Sequence, residues 1–480
     1  MTDLRISALK TDGQASTPQL HHGDSRTSLK DVISNGKFRV GWGQTGNANI
    51  GGYAWGASIG RMPTGLGMGY KPSNIPNTAI RWESQEQWNV GLDLGFFQDR
   101  LNLIVDAYIK RSNDMLMSMQ LPSYMGTTGN GSSVLGAPKG NYGSIENRGI
   151  EITLDGHPFV GKFQWDSNFQ ISFNRNKLLS LEGTQNASLV GYGQYNDVVC
   201  LSSIGESLYN FYGYEVEGVY ESLEDLQNSP KPAKYPADGK TFNKTNTVWV
   251  GDIKYKDQPT VDTDGDGIPD QGDGVIDEND RTNLGSPLPI FTFGWTNTFR
   301  YWNFDLSIFL NGSYGNKVLN YNSIVLTHMN SPWMNQLNSV NDRAELVPID
   351  PDKTYESGAW YDDITNVKVA NSGTKTPRAS INDPNDNDRM SSRYVEDGSY
   401  LRIKNLTLGY TFPKKLLEKA RIENLRIYCN IQNIYTFTRY TGYDPEIGAS
   451  TQDATGLTYG IDNGRYPSPT TYSIGLNITF

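Results

Sequence analysis

Apolar and polar residues alternate with a period of two along ten separate stretches of this chain. The last stretch is the clearest. Tyr472, Ile474, Leu476, Ile478 and Phe480 share one parity, and Ser473, Gly475, Asn477 and Thr479 the other. Such a segment predicts a strand with one apolar and one polar face. Earlier stretches repeat it. Phe38, Val40 and Trp42 alternate with Arg39, Gly41 and Gly43; Trp88 to Phe96 and Leu101 to Ile109 follow, then Ile150 to Leu154 and Phe163 to Phe173. Phe291 to Trp295, Phe304 to Leu310, Leu406 to Phe412 and Leu425 to Ile431 complete the set. Each is about long enough to cross a bilayer obliquely.

The connections choose among all-β architectures. Those at 97–101, 155–163, 299–304 and 412–425 are short, and those at 44–87, 111–148, 174–290, 313–401 and 433–470 are long and polar. Short and long alternate strictly, so every long loop falls at one end of the sheet. Outer-membrane barrels have this asymmetry, with tight periplasmic turns and long extracellular loops, whereas a β-sandwich gives no reason for it. We therefore expect an all-β, transmembrane, antiparallel up-and-down barrel, with Leu92, Leu94, Leu306, Ile308, Leu406, Leu408, Leu476 and Ile478 facing lipid. Asn89, Asp93, Asp305, Asn311 and Asn405 should face a wet lumen.

Composition removes other classes. No apolar run approaches the ~18 residues of a spanning helix. A mean hydropathy of -0.55 is compatible with a barrel, whose membrane character lies in alternation, and an aromatic share of 11% can supply interfacial girdles. A net charge of -10 with no basic stripe speaks against nucleic acid. Two cysteines, Cys200 and Cys429, make no disulfide framework. Residues 1–37 form a polar leader without an apolar export core, and His21 and His22 within it read as an incidental pair. The barrel is expected over 38–480.

Several longer blocks add a resemblance. YVEDGSYLRIKNLTLGYTFPKKLL begins at Tyr394, NLRIYCNIQNIYTFTRYTGYDPEI at Asn424, and the chain closes on YPSPTTYSIGLNITF. FRVGWGQTGN begins at Phe38, WESQEQWNVGLDLGFFQDRLNLIVDAY at Trp82, ENRGIEITL at Glu146, GDIKYKD at Gly251 and DGVIDENDRTNLGSPLPIFTFGWTNTF at Asp273. In this order they resemble SusC-type (SusC/RagA) TonB-dependent outer-membrane transporters over nearly all of the chain after Lys37. The resemblance implies a 22-strand barrel of the plugged outer-membrane type, in which this chain supplies roughly the last ten strands. It also implies a plug and TonB-binding segment outside this sequence and a SusD-like surface lipoprotein as a lid. Uptake of oligosaccharides is the expected function, with peptides second. The alternative is a secreted, calcium-stabilised glycan-binding or adhesion module, which would bury its apolar strand faces between two sheets.

One motif carries chemistry of its own. Asp262, Asp264, Asp266, Asp270 and Asp273 occupy positions one, three, five, nine and twelve of a twelve-residue loop, Gly267 the sixth, and Ile268 the seventh with its backbone carbonyl. This oxygen-only spacing suits Ca²⁺, in the extracellular loop 174–290. A solvated acidic turn is the competing reading, and Asp273, Asp277 and Asp280 form an overlapping set. Gly65 to Gly69 lacks the βαβ context of a phosphate loop. His157 and His328 stand near no nucleophile pattern, so no enzyme is expected. Tyr53, Trp55, Tyr192, Tyr195, Trp333 and Trp360 could stack on sugar rings or simply pack the loops.

Overall fold

The computed structural model describes residues 32–47, 55–118, 123–125, 135–181, 188–194, 197–355, 359–447 and 456–480. The histidines of the leader, Tyr53 and Tyr195 lie outside them. All ten expected strands are present: β1 (Ile33–Asn47), β2 (Glu83–Phe96), β3 (Leu101–Ser118), β4 (Lys139–Val160), β5 (Phe163–Leu181), β6 (Phe291–Tyr301), β7 (Phe304–Tyr314), β8 (Tyr400–Thr411), β9 (Asn424–Thr438) and β10 (Thr471–Thr479). They form one sheet in chain order, and every neighbouring pair is antiparallel. β1 and β10 have one neighbour each, so the described strands form an open strip. β3, β4 and β5 run well past their alternating cores, beyond the apolar band.

The apolar face carries Val90, Ile150, Trp295, Leu408 and Ile474, all exposed. No second sheet covers this face among the described residues, which removes the sandwich alternative. Its aromatic residues collect at two levels. At the short-turn end Phe159, Phe163, Trp165 and Phe299 touch in series, with centroids 5.8 to 6.1 Å apart. At the long-loop end Trp42 meets Trp88 and Phe173 meets Phe291. Trp88 and Phe96 stand eight residues apart on β2, roughly 26 Å along the strand and roughly 20 Å along the normal at a tilt of about 40°. That is the scale of the apolar band of a membrane barrel.

Two polar residues break the parity rule. Ser167 and Asn297 pair across β5 and β6 on the apolar face. Trp165 Nε1 donates to Asn297 Oδ1 at 3.0 Å and Trp295 Nε1 to Ser167 Oγ at 2.9 Å. The indoles satisfy both groups and cover Asn297, which is buried.

The opposite face is polar and knitted. Arg39 bridges Asp93 and Asp106 at 2.6 and 3.0 Å, and its guanidinium lies over Gly91. A Cβ there would stand 2.7 Å from Arg39 Cζ, so a larger residue would push the guanidinium off its seat between the two carboxylates. Gly409 lies likewise beneath the Arg426–Asp305 pair. Asn430 donates to Asn405. These positions carry the residues expected in the lumen.

Among the described residues the packed core lies in the long loops. Tyr214, Tyr220, Trp249, Ile253, Tyr255, Ile276, Ala344, Val367 and their neighbours bring loops 182–290 and 315–399 into one cluster. A second joins Val199, Phe211, Leu319, Tyr394 and Ile461. A third seats Leu189 and Leu208 against Ile145, Leu178 and Leu181, on the polar-face side of β4 and β5. The loops thus fold inward, over the mouth of the sheet.

Candidate functional site

A buried ion pair anchors the loop domain. Asp252 is fully buried and Arg378 nearly so, with Arg378 Nε 2.8 Å from Asp252 Oδ1. Trp249 N and Asn387 Nδ2 also donate to Asp252. Asn387 in turn donates to Asp383 from its amide nitrogen and its side chain, and accepts from Ile253 N. Burial is the main cause pushing Asp383 up to about 7, and the charges of Asp388 and Asp252 add to it. Asp383 adopts φ +38°, a left-handed conformation that Asp and Asn tolerate better than other side chains.

Beside this network lies a cavity of about 530 Å³, lined by Asp197, Tyr214, Arg281, Tyr321, His328, Met334, Asp388 and Arg389 among others. Arg389 stacks on Tyr214 and Tyr255, and its N–H groups reach the carbonyls of Asn385 and Asp386. Arg281 donates to the carbonyls of Val198 and Tyr212. Arg281 spends no charge on these contacts, whereas Arg389 also forms an ion pair with Asp386 at 3.8 Å. Burial and Asp388 raise the Asp197 carboxyl, although Asp197 is exposed on one side. The cavity therefore presents carboxylates and guanidiniums within one wall, at a volume typical of small-molecule pockets. Sequence reasoning did not find Asp197, Arg281, Asp388 and Arg389. They come from loops far apart in the chain, and no local spacing marks them. Of the aromatics expected to stack on sugars, Trp360 packs against the first core cluster, whereas Trp55, Tyr192 and Trp333 are exposed.

The acidic loop divides its six expected ligands. Asp262, Asp264 and Asp266 place one oxygen each within 4.8 Å of one another. Gly265 N and Gly267 N donate to Asp262 at 2.7 and 2.8 Å, both glycines at positive φ, and these bonds hold its carboxyl below the usual range. Ile268 N donates to Asp266. Asp270 instead accepts from Thr263 N and Oγ1. Val261 and Gln271 pinch the loop shut through their backbones, and Asp273 falls beyond the pinch, accepting from Val275 N. The overlapping set does not converge: Asp277 and Asp280 form a capping box, and buried Asp280 accepts from Gln258 N. His157 bonds Asp166 at 2.6 Å near the end of β4. Gly65 to Gly69 shape an exposed hairpin, Ile59–Thr64 with Gly67–Pro72.

Known proteins fit this architecture. Residues 5–214 match the family described as TonB dependent receptor-like, beta-barrel. TonB-dependent receptor P3 of Formosa agariphila is 31% identical over 464 residues, which cover 94% of this chain and 40% of the relative. TonB-dependent receptor SusC of Bacteroides thetaiotaomicron is 26% identical, covering 94% and 38%. A solved structure of the RagAB peptide transporter superposes with a TM-score of 0.68 at 20% identity, covering 94% of this chain and 41% of that one, a likeness of fold. The chain spans about two fifths of the length of these relatives. Such receptors are outer-membrane transporters rather than enzymes. The chain is similar over nearly its whole length to TonB-dependent receptors, and its ten strands have the fold of part of an outer-membrane β-barrel of that kind.

Proposed function

We propose that this chain forms part of the translocating barrel of an importer driven through the TonB complex, with a SusD-like surface lipoprotein over its long-loop end. The observation that carries this is spatial. The knitted polar face of the sheet leads at its long-loop end to a folded loop domain that encloses a cavity of about 530 Å³. A nutrient would meet the loops first and the polar face afterwards.

Oligosaccharides are the first substrate class, supported by the exposed Trp55, Tyr192 and Trp333, with Trp333 adjoining Met334 of the cavity wall. Peptides are the second, supported by the mixed charges of the wall, which complement a zwitterion, and by the peptide transporter of similar fold. Growth of a deletion strain on panels of glycans and short peptides tests both. Undiminished growth on every glycan sinks the first reading, and undiminished growth on every peptide the second.

We also propose Ca²⁺ at Asp262, Asp264 and Asp266. Three converging carboxylates repel without a counter-ion, and oxygen ligands suit that cation. Calorimetry with the intact protein should register calcium binding that Asp264→Asn weakens. Absence of binding at millimolar calcium leaves only a hydrogen-bonded acidic turn.

A further inference from the structure

On the outward side of β4 and β5, just above the apolar band, two arginines face each other. Arg148 and Arg175 are directly paired across the strands, and Lys177 follows Arg175 by two residues on the same face. Their outward direction is fixed twice. They share parity with Ile150 and Phe173 of the apolar face, and the inward positions at the same height, Ile145 and Leu178, are buried beneath the loops.

Directly opposed side chains on a sheet stand about 5 Å apart at Cβ, and like charges there destabilise the pair. The nearby carboxylates do not relieve it. Glu146 is engaged by Arg111 at 2.7 Å, and Glu86 accepts from the indoles of Trp42 and Trp88. Arg175 donates only to the carbonyls of Asn174 and Ile290, which leave its charge intact, and Arg148 has no hydrogen bond or ion pair among the described residues. Both arginines and Lys177 are exposed. The two arginines thus face each other with no carboxylate paired to either among the described residues, and Lys177, which stands opposite the Arg111-bound Glu146, adds a third positive charge beside them.

Their height identifies the anion. Arg175 stands two residues beyond Phe173, whose ring packs on Phe291 in the upper aromatic girdle, a rise of roughly 7 Å along the strand. That is the level of lipid headgroups. Guanidiniums bind phosphate through paired, charge-assisted hydrogen bonds, and a basic cluster at the headgroup level recognises anionic lipid. We propose that Arg148, Arg175 and Lys177 dock the phosphate-bearing headgroup of an outer-leaflet lipid. The inference rests on the outer-membrane barrel and is independent of what the protein imports.

The protein, purified in an uncharged detergent, is titrated with mixed micelles carrying phosphorylated lipid A or the same lipid after phosphatase treatment, and separately with inorganic phosphate. Retained lipid is read by native mass spectrometry. The wild type should keep the phosphorylated form at least tenfold better than the dephosphorylated one. Arg148→Gln with Arg175→Gln should erase that preference, and Arg148→Lys with Arg175→Lys should keep most of it. Heat-modifiable migration of each variant shows that the barrel is intact, so failed assembly is distinguishable from lost recognition. Equal retention of both lipid forms by the wild type, an unaltered preference in the double glutamine variant, or displacement of the lipid by equimolar inorganic phosphate would overturn the proposal.

Discussion

Replacing Arg378 with methionine should unfold the loop domain locally while leaving the barrel in place. Methionine roughly fills the space of the arginine stem but supplies no charge, so fully buried Asp252 loses its counter-ion. Breaking one side of a buried pair costs about 3 to 5 kcal/mol. Protonation of Asp252 sets a ceiling. Bringing a carboxyl from its ordinary 3.8 to neutral pH spans about 3 pH units, or about 4 kcal/mol at 1.36 kcal/mol per unit. At pH 5 the span is about 1.2 units and the ceiling about 1.6 kcal/mol. Burial already raises the Asp252 carboxyl with Arg378 present, and removing the cation raises it further. Its share of the variant's deficit is absent below the ordinary carboxyl pKa and grows as pH rises. Hydrogen exchange of a peptide covering 248–256, normalised to unfolded rates at each pH, measures this. The variant should exchange up to about a thousandfold faster at pH 7 and up to about fifteenfold faster at pH 5, while the β7 peptide 304–314 stays protected. An increase below tenfold at pH 7, or the same factor at both pH values, would refute the reasoning.

Two other perturbations probe different layers. Ile308→Arg, on the apolar face of β7, should cost about 2 to 4 kcal/mol near the bilayer midplane and appear as lost heat-modifiable barrel; assembly as efficient as the wild type would mean the facing is wrong. Asp383, pushed up to about 7, is favoured protonated in the folded loops, so its contribution makes them less stable as pH rises from about 4 to about 7. Asp383→Asn keeps the left-handed backbone, and denaturant melts followed by tryptophan fluorescence should lose that part of the pH slope; an unchanged slope would remove Asp383 from the account.

The sheet was legible because its information is local. A strand between lipid and water must alternate, so Trp88 to Phe96 or Tyr472 to Ile478 declares both element and facing within a few residues. Strand ends were not legible, since Lys139 to Gly149 of β4 lies above the apolar band, where no alternation is imposed. Nor was the inward folding of the loops. Asp252 and Arg378 meet across a sequence separation of 126, and nothing near either residue marks the other. Spacing placed six ligands around one ion in the acidic loop, but the backbone pinch at Val261 and Gln271 puts Asp273 outside it. Ser167 and Asn297, which look like errors in an apolar face, make sense only with the indoles of Trp165 and Trp295 in view.

Single cysteines along β7 and β8 test the central claim, that these strands present one face to lipid and the other to water. Cys429, which is exposed, is first replaced by serine. Spin labels are then placed one at a time at Ser307, Ile308, Leu406 and Thr407, where Ser307 pairs with Thr407 and Ile308 with Leu406. Accessibility to dissolved oxygen and to a water-soluble nickel chelate is compared in membranes. Labels at Ile308 and Leu406 should favour oxygen and those at Ser307 and Thr407 nickel, with the preference reversing at every residue. Equal preferences at neighbouring positions, or nickel favoured at Ile308 and Leu406, would contradict the account.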